Sequence, residues 1–431
     1  MTAVPVYSGA FGKAQAERLL WRAGFGARQG EAGTLSKLGL KAAVASLVQP
    51  ASTELVGPAP VDEKGRAISP NDAYGHDHLW FLDRMVRTRA PLVERMTLAW
   101  HDWFATSNAA VASQQLMLNQ NQLFRQYALG SFSDLLMAVT QDPAMLVWLN
   151  GNQNTKGKPN ENYGRELMEL FTLGANRGAY TETDVREQAR ALTGWTGSAS
   201  RGVASFVYNA ALHDTGTKTI FGKPGNYAWQ DAVNLCLTHP SHPSFFVSKL
   251  WSYFVPTPPD ASTLTALQEV YAARQIAPVV TAILQHPDFY NGPRMTKPPI
   301  VFNAGLMRLR GMSVTTSQWW SLGKAAGQQL FYPPDVSGWD DSKWLDTGTF
   351  RARWFIATLV QGGGAPTDSP SDPAKLVKRA SQFWGFPTLT DRTSTLVLAF
   401  AKAQLKRGNA PALVETALRR LIATSPDLQT A

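Results

Sequence analysis

Carboxylate side chains with a spacing suited to acid/base chemistry follow Asn160 in the sequence. Asn160 can cap a helix that Gly174 ends. Such a helix, over residues 160–173, carries Glu166 and Glu169 on its polar face. Neighbouring carboxylates can hold different pKa values, so that one acts as an acid and the other as a base, or they can share a hard metal ion. The spacing therefore predicts a catalytic acid or base at Glu166 or Glu169.

The same helix face carries a cation, Arg165, four residues after Glu161 and four before Glu169. This ladder of alternating charge is typical of a solvated helix face, where each pair contributes only about 0.3–0.5 kcal/mol. In a catalytic cleft, Arg165 would instead hold an anionic group of the substrate or tune its neighbours. Asn160 and Glu161, at the start of the helix, are then candidates for binding substrate.

A second polar cluster lies between residues 196 and 229, where the helical period disappears. His213, Asp214 and Lys218 fall near the tip of a predicted ribbon, and together they can supply a base, an orienting group and a charge stabiliser. The other interpretation is a turn in which Asp214 binds backbone amides and His213 is merely exposed. The pattern predicts His213 and Asp214 as catalytic residues and Lys218 as a substrate-binding residue.

Two further candidates stand among aromatic residues. His101 lies on a predicted helix between Trp100 and Trp103, which is typical either of a structural histidine or of a proton carrier. Trp339 belongs to an irregular aromatic segment, residues 331–339, that can pack on a sugar ring or seal the core.

The composition is that of an ordinary globular chain, with 431 residues, 44% hydrophobic and 17% charged. The net charge of +9 suits an anionic partner, but no basic run or nucleic-acid-binding motif accompanies it, so nucleic acid is the least favoured partner. The single cysteine, Cys236, excludes an internal disulfide. No nucleotide-binding, zincin or nucleophile-elbow motif is present, so no nucleotide cofactor is expected.

The segments that position these residues are predicted to be helices. The sequence predicts a mainly α fold, with one large multi-helix domain over residues 10–365 and a C-terminal helical appendage over residues 366–431. Within the domain we expect a long loop at residues 51–71 and a β-hairpin insertion at residues 196–229. In that insertion, Phe206–Tyr208 and Lys218–Phe221 are expected to pair as one two-stranded ribbon. The apolar runs are too short for a transmembrane segment, and the N-terminal residues lack the pattern of a secretory signal.

Several long motifs, in order, resemble the bacterial family called domain of unknown function 1800, DUF1800. They are RLLWRAGFG, PLVERMTLAWHDWFATS, DPAML, NENYGRELMELFTLG with YTETDVREQARALTGW, HDTGTK and DVSGW, and the resemblance covers roughly residues 15–360. The family's members are mostly exported, and they are often encoded beside an alkaline-phosphatase-like family, DUF1501. Two positions depart from its pattern: Trp103 stands where a second histidine is usual, and Asn150 where an aspartate is usual. These departures weaken the expectation of a divalent metal ion, whose identity stays unknown.

These observations lead to two hypotheses of different classes. The first is an acid/base hydrolase or lyase, with or without a metal ion, acting on an envelope or extracellular glycan or another anionic polymer. The second is a non-enzymatic binding or accessory partner of a DUF1501-like protein. Under either hypothesis, the protein is expected to be cytoplasmic or to be exported together with a partner.

Overall fold

The computed structural model describes residues 3–200, 203–364 and 366–431, and the part it describes is mainly helical, as predicted. Its α-helices are α1 (Lys13–Arg22), α2 (Glu31–Ser36), α3 (Leu40–Val48), α4 (His76–Arg87), α5 (Pro91–Trp103), α6 (Asn108–Val111), α7 (Gln114–Gln126), α8 (Phe132–Thr140), α9 (Pro143–Trp148), α10 (Asn162–Glu166), α11 (Glu182–Ala191), α12 (Trp229–Leu237), α13 (His242–Ser252), α14 (Ala261–Val270), α15 (Ile276–Gln285), α16 (Pro287–Asn291), α17 (Pro299–Arg310), α18 (Gln318–Ala325), α19 (Thr347–Gln361), α20 (Pro373–Phe383), α21 (Asp391–Lys406), α22 (Pro411–Ala423) and α23 (Pro426–Gln429).

The strands form two small antiparallel sheets, which corrects the predicted pairing. β1 (Trp195–Ser200) pairs with β2 (Val203–Tyr208), and β3 (Lys218–Ile220) pairs with β4 (Lys223–Gly225). The predicted ribbon joined β2 to β3. That pairing is wrong because the chain reverses directly after β3, where Phe221 and Gly222 both have positive φ, at 51° and 71°. Two such residues form the tight turn that matches the twist of a hairpin.

The predicted helix over residues 160–173 is a short α-helix followed by a π-helix. After α10, residues Leu167–Thr172 are π-helical, and the Leu173 N–H donates to the Met168 carbonyl, five residues back, at 2.8 Å. The predicted N-cap at Asn160 is wrong: α10 begins at Asn162, and Glu161 occupies the N-cap position without a side-chain capping hydrogen bond. Asn160 lies one residue further out, where its side chain accepts the Asn162 N–H at 3.0 Å. The wider turn changes which side chains face inward, and Leu173, which does not fit the α-helical period, is fully buried.

Two hydrophobic cores meet at α5. Trp100 and Trp103 of α5 pack into the first core, which includes side chains of α1, α3, α8, α11, α12, α13 and α15. Leu98 of α5 packs into the second core, which includes side chains of α4, α17, α19, α20 and α22. Polar side chains on α5 that belong to neither core therefore lie at the boundary between them.

The C-terminal segment contributes to the second core. Leu376 of α20 and Leu418 of α22 are fully buried and belong to the same cluster as Ile300 of α17 and Ile356 of α19. The residues predicted as an appendage thus complete the core that α17 and α19 begin, and the division of the chain into domains at residue 365 stays a prediction.

Candidate functional site

The structure places the predicted site residues in three locations. His101 and Trp339 lie at the boundary between the two cores, where their rings meet edge to face with centroids 5.2 Å apart. The second group lies on and before α10 and the π-helix: Asn160, Glu161, Arg165, Glu166 and Glu169. The third group lies between α11 and β3: His213, Asp214 and Lys218.

The group between α11 and β3 holds a turn in shape. Asp214 accepts two hydrogen bonds from Arg190, at 2.7 and 3.3 Å, and this pairing lowers the pKa of the Asp214 carboxyl. His213 Nδ1 lies 2.9 Å from the Thr193 carbonyl oxygen. Lys218 is buried and its amine donates to the Asp214 carbonyl. Asp214 and His213 bind residues at the end of α11, and Lys218 binds the backbone of the turn itself, so the placement of the three side chains favours the structural interpretation.

Arg165 is engaged by two carboxylates. It binds Glu161 at 3.1 Å and Glu182 at 2.7 Å, and the hydrogen bonds to Glu182 are the main cause of its raised pKa. Glu169, the third member of the predicted ladder, instead accepts a hydrogen bond from the Tyr180 hydroxyl at 3.2 Å. The cation therefore ties α10 to the start of α11.

Glu166 has the electrostatic character that the sequence predicted for this helix. Partial burial, with the neighbouring charge of Glu169 as the second cause, raises the pKa of Glu166 to about 7. A carboxyl with a pKa near neutrality can gain and lose a proton under physiological conditions. Its catalytic role stays a prediction, and its electrostatics can be tested by stability.

We expect Glu166→Gln to stabilise the protein at pH 8 by about 1 kcal/mol, because folding raises the pKa of Glu166 above its unfolded value. The stability that Glu166 contributes is complete below pH 4.5 and is lost as the pH rises through 7. The gain should therefore shrink on acidification. Urea unfolding at pH 8 and pH 5 measures it, and Glu161→Gln, which removes an ion-paired carboxylate of the same helix, is the control. An equal gain at both pH values would contradict the assignment.

The carbonyl groups at the end of the π-helix receive side-chain donors from other elements. Lys249 of α13 donates to the Leu170 carbonyl at 3.0 Å, and Trp103 Nε1 donates to the Phe171 carbonyl at 3.3 Å. These contacts satisfy carbonyls that a helix end leaves without intrahelical partners. Trp103, which replaces the second histidine of the family motif, thus anchors the π-helix to α5.

A partly open cavity of about 220 Å³, lined by polar and apolar side chains, lies at the boundary between the cores. Its walls come from α5, from the end of α13, and from the segments around α17 and between α18 and α19. Four of the groups that line it can be charged or can exchange a proton: Arg95, which is buried, and Asp102, Lys249 and Tyr253, which are partly buried. Arg95 and Asp102 are seven residues apart on α5, and Lys249 and Tyr253 are four residues apart at the end of α13. The two members of each pair therefore lie on the same side of their helix.

Asp102 is the central carboxylate of this cavity. Its Oδ2 accepts a hydrogen bond from the Tyr253 hydroxyl at 2.8 Å, and its Oδ1 accepts one from the backbone N–H of Trp339 at 2.8 Å. Burial raises the pKa of Asp102 in spite of these hydrogen bonds. Gly338 makes the approach possible, because its φ is +94° and a Cβ there would lie 2.3 Å from Asp102 Oδ1.

Lys249 and Arg95 supply the positive charge. Burial lowers the pKa of Lys249 to about 8, although the nearby carboxylate of Asp102 acts in the opposite direction. The amine also lies 4.6 Å from the centroid of the Trp103 ring. Arg95 donates from Nε to the Arg22 carbonyl at 3.2 Å, and burial lowers its pKa to about 10. A partly buried amine that titrates near neutrality can act as a base.

Two buried histidines hold the segment that covers the cavity. The Leu330 N–H donates to His78 Nδ1 at 3.2 Å, and the next N–H, that of Phe331, donates to His101 Nε2 at 3.0 Å. Phe331 has a φ of +66°, which is unfavourable for a bulky residue unless surrounding contacts fix it. His101 therefore positions the segment that carries Trp339, and its effect on the cavity is indirect, through that segment.

We expect the stability of the protein to fall as the pH drops from about 6.5 to 3, because burial lowers the pKa of His78 and of His101 to about 3. In this window the unfolded histidines bind protons that the folded ones exclude, so acid favours unfolding. The variant His101→Gln keeps an acceptor that does not titrate, and its loss of stability over the same window should be smaller. Urea unfolding between pH 7 and pH 4 measures both curves, and parallel curves would contradict the role of His101.

Sequence reasoning missed Arg95, Asp102, Lys249 and Tyr253 as a group. The available signal was charged residues at helical spacing within segments that are otherwise aromatic and aliphatic. Across residues 3–200, 203–364 and 366–431, no three His, Cys, Asp or Glu side chains are grouped closely enough to hold a metal ion. No helix in the described part of the chain is long and apolar enough to cross a membrane.

Fold and site define a helical protein with two cores and, between them, a partly open cavity that titratable side chains line. The chain belongs to the DUF1800 family of proteins of unknown function, whose model matches residues 18–430 and thus extends beyond the motifs recognised in the sequence. No curated protein and no solved structure matches the chain.

Proposed function

We propose that this protein is an acid/base enzyme whose site is the cavity between the cores. One observation carries the proposal: the Lys249 amine, the Asp102 carboxylate and the Tyr253 hydroxyl are partly buried and line the same cavity, with a 2.8 Å hydrogen bond between the last two. Clusters of buried titratable groups in a cavity are more common at active sites than elsewhere in proteins.

The groups divide into three roles. Lys249, with a pKa near 8, is present in part as a free amine at neutral pH and acts as the base. The Asp102–Tyr253 pair returns a proton to the leaving group. Arg95 binds an anionic group of the substrate, since a guanidinium forms paired hydrogen bonds with a carboxylate.

The substrate we propose is an acidic glycan or a related anionic polymer. Trp339 and Trp344 line the cavity and offer flat apolar surfaces to a sugar ring.

Between hydrolysis and elimination, this set of groups fits elimination better. Hydrolysis of a glycosidic bond generally uses two carboxylates that flank it, and the cavity has one partly buried carboxylate, Asp102, with Asp341 exposed at the rim. In elimination, Lys249 removes the proton from the carbon next to a uronate carboxylate. A carbon–carbon double bond then forms, the carbon–oxygen bond to the next sugar breaks, and the leaving oxygen takes up a proton.

The test is turnover of a panel of uronate and sulfated glycans, measured by ultraviolet absorbance of the new double bond and by reducing ends. We expect Tyr253→Phe to lower kcat by about 10²-fold, because the ring stays and only the hydroxyl is lost. Tyr271→Phe is the matched control, since Tyr271 is buried and also hydrogen-bonded, to His242 at 2.9 Å, away from the cavity. Equal rates for wild type and Tyr253→Phe would overturn the roles proposed here.

The alternative function, that of an accessory partner for a DUF1501-like protein, makes a different prediction. If binding is the function, cavity variants that fold normally should retain the partner, and no glycan should be turned over. Co-purification of the two proteins together with an inactive wild type in the glycan panel would favour this alternative.

A further inference from the structure

A second and larger cavity, of about 560 Å³, lies between α1, the residues before α17 and the segment after α20. We infer that this groove binds an acidic, uronate-type glycan, with carboxylates on its arginines and sugar rings on its aromatic side chains. The inference rests on the proposed function for the choice of a glycan, and its evidence comes from different residues.

Arginine side chains line the groove with donors left over. Among the described residues, every hydrogen bond from the Arg18 and Arg294 side chains leaves from Nη1, and every one from Arg28 leaves from Nη2. Arg18 and Arg28 use those bonds on backbone carbonyls. Backbone carbonyl dipoles therefore stabilise the charges of Arg18 and Arg28, and the N–H groups of these guanidinium groups that make no hydrogen bond can bind a carboxylate.

The cations of the groove also repel one another. The pKa of Arg18 is lowered first by burial and second by the positive charge of Arg294. A bound carboxylate between them would relieve that repulsion, which gives the groove a preference for an anionic ligand.

Aromatic side chains provide the apolar part of the groove. Trp21 lines it, and Phe386 stands at its rim with 43% of its surface exposed. Phe386 has a φ of +54°, a conformation in which glycine or asparagine is easier to accommodate. An exposed aromatic residue in a strained backbone position is an observation that points to a role in binding.

The remaining lining suits a glycan. Glu17 and Asp427 lie in the groove and pair with Lys13 at 3.1 Å and with Arg294 at 2.7 Å, so part of the positive charge of the groove is already balanced. The amide and hydroxyl groups that accompany them suit the hydroxyls of sugars, and they are Gln15, Gln29, Gln382, Thr388 and Thr430.

Titration calorimetry of the full chain with an oligogalacturonate tests the inference. The double variant Arg294→Gln with Phe386→Ala changes two exposed side chains, and we expect it to bind about tenfold more weakly, the loss that about 1.4 kcal/mol produces. Arg351→Gln removes the same charge from an exposed site on α19 and should bind within about twofold of wild type.

Three results would overturn the inference: no binding by wild type, an equal loss in Arg351→Gln, or a uridylate oligonucleotide of matched charge that binds as tightly as the glycan. Lys249→Met should retain full binding, because its cavity is separate. Binding therefore tests the groove and turnover tests the proposed reaction, so a failure of one can be distinguished from a failure of the other.

Discussion

Replacing Lys249 with methionine is expected to lower kcat/KM by about 10²–10⁴-fold, the range typical of a lost general base. The amine lines the cavity with Asp102, and its pKa near 8 leaves part of it unprotonated at neutral pH. Methionine keeps the length and apolar stem of the side chain but cannot take up a proton. Rates on the acidic glycan that responds in the panel measure the effect.

The matched control for this variant is Lys297→Met. Lys297 is a buried amine whose pKa burial also lowers, it donates to the Leu428 carbonyl at 2.7 Å, and it lies 3.8 Å from the centroid of the Trp21 ring. It therefore resembles Lys249 in its lowered pKa, its hydrogen bond to a carbonyl and its aromatic contact, but it does not line the Asp102 cavity. We expect Lys297→Met to lose stability and keep its turnover number. Equal losses of turnover in the two variants would show that Lys249 acts only through stability.

Replacing Glu94 with glutamine is expected to cost about 3–5 kcal/mol of folding free energy, the range for breaking a buried ion pair on one side. Glu94 is 2% exposed and binds Arg84 at 3.1 Å and Arg125 at 2.7 Å, so its carboxylate joins α5 to α4 and α7. Glutamine would leave two arginines facing each other without a counter-charge. Urea unfolding measures the loss.

Glu182→Gln is the control for this second variant. Glu182 also pairs with an arginine, Arg165, but 66% of its side-chain surface is exposed, so its loss should destabilise the protein much less than the loss of Glu94. A similar loss in both variants would contradict the importance of burial. Because α5 also carries Arg95 and Asp102, Glu94→Gln is expected to loosen the cavity together with the fold.

Local patterns in the sequence were sufficient for the fold class and for several helix boundaries. Thr181 with Asp184 forms the predicted capping box that begins α11, whereas the helix after Asn160 begins only at Asn162, with Glu161 at its N-cap. The π-helix could not be predicted, because its carbonyls are satisfied by Lys249 and Trp103 from distant parts of the chain. The predicted pairing of β2 with β3 was wrong because the chain turns tightly at Phe221 and Gly222, and phenylalanine is not a residue expected in such a turn.

The site was harder to predict than the fold because it depends on tertiary contacts. His101 stood out as a titratable residue, yet its ring accepts a backbone N–H and holds a covering segment. Asp102, its neighbour, is the residue that lines the cavity, and the one-residue difference places the two side chains in different surroundings. The pairing of Asp102 with Tyr253 joins residues 151 positions apart, which periodicity within a helix cannot show.

The central claim is that Lys249 is a reactive amine within a cavity that solvent and substrate can enter. Competitive acetylation of the native protein across pH 6–11, read by peptide mass spectrometry, measures the pKa and accessibility of each lysine without a known substrate. Lys249 is expected to react with an apparent pKa near 8, well below the value of about 10.4 for a lysine in water. In urea, the pKa of Lys249 is expected to return to the value in water. A Lys249 that reacts only after unfolding, or with the pKa of an exposed lysine, would contradict the central claim.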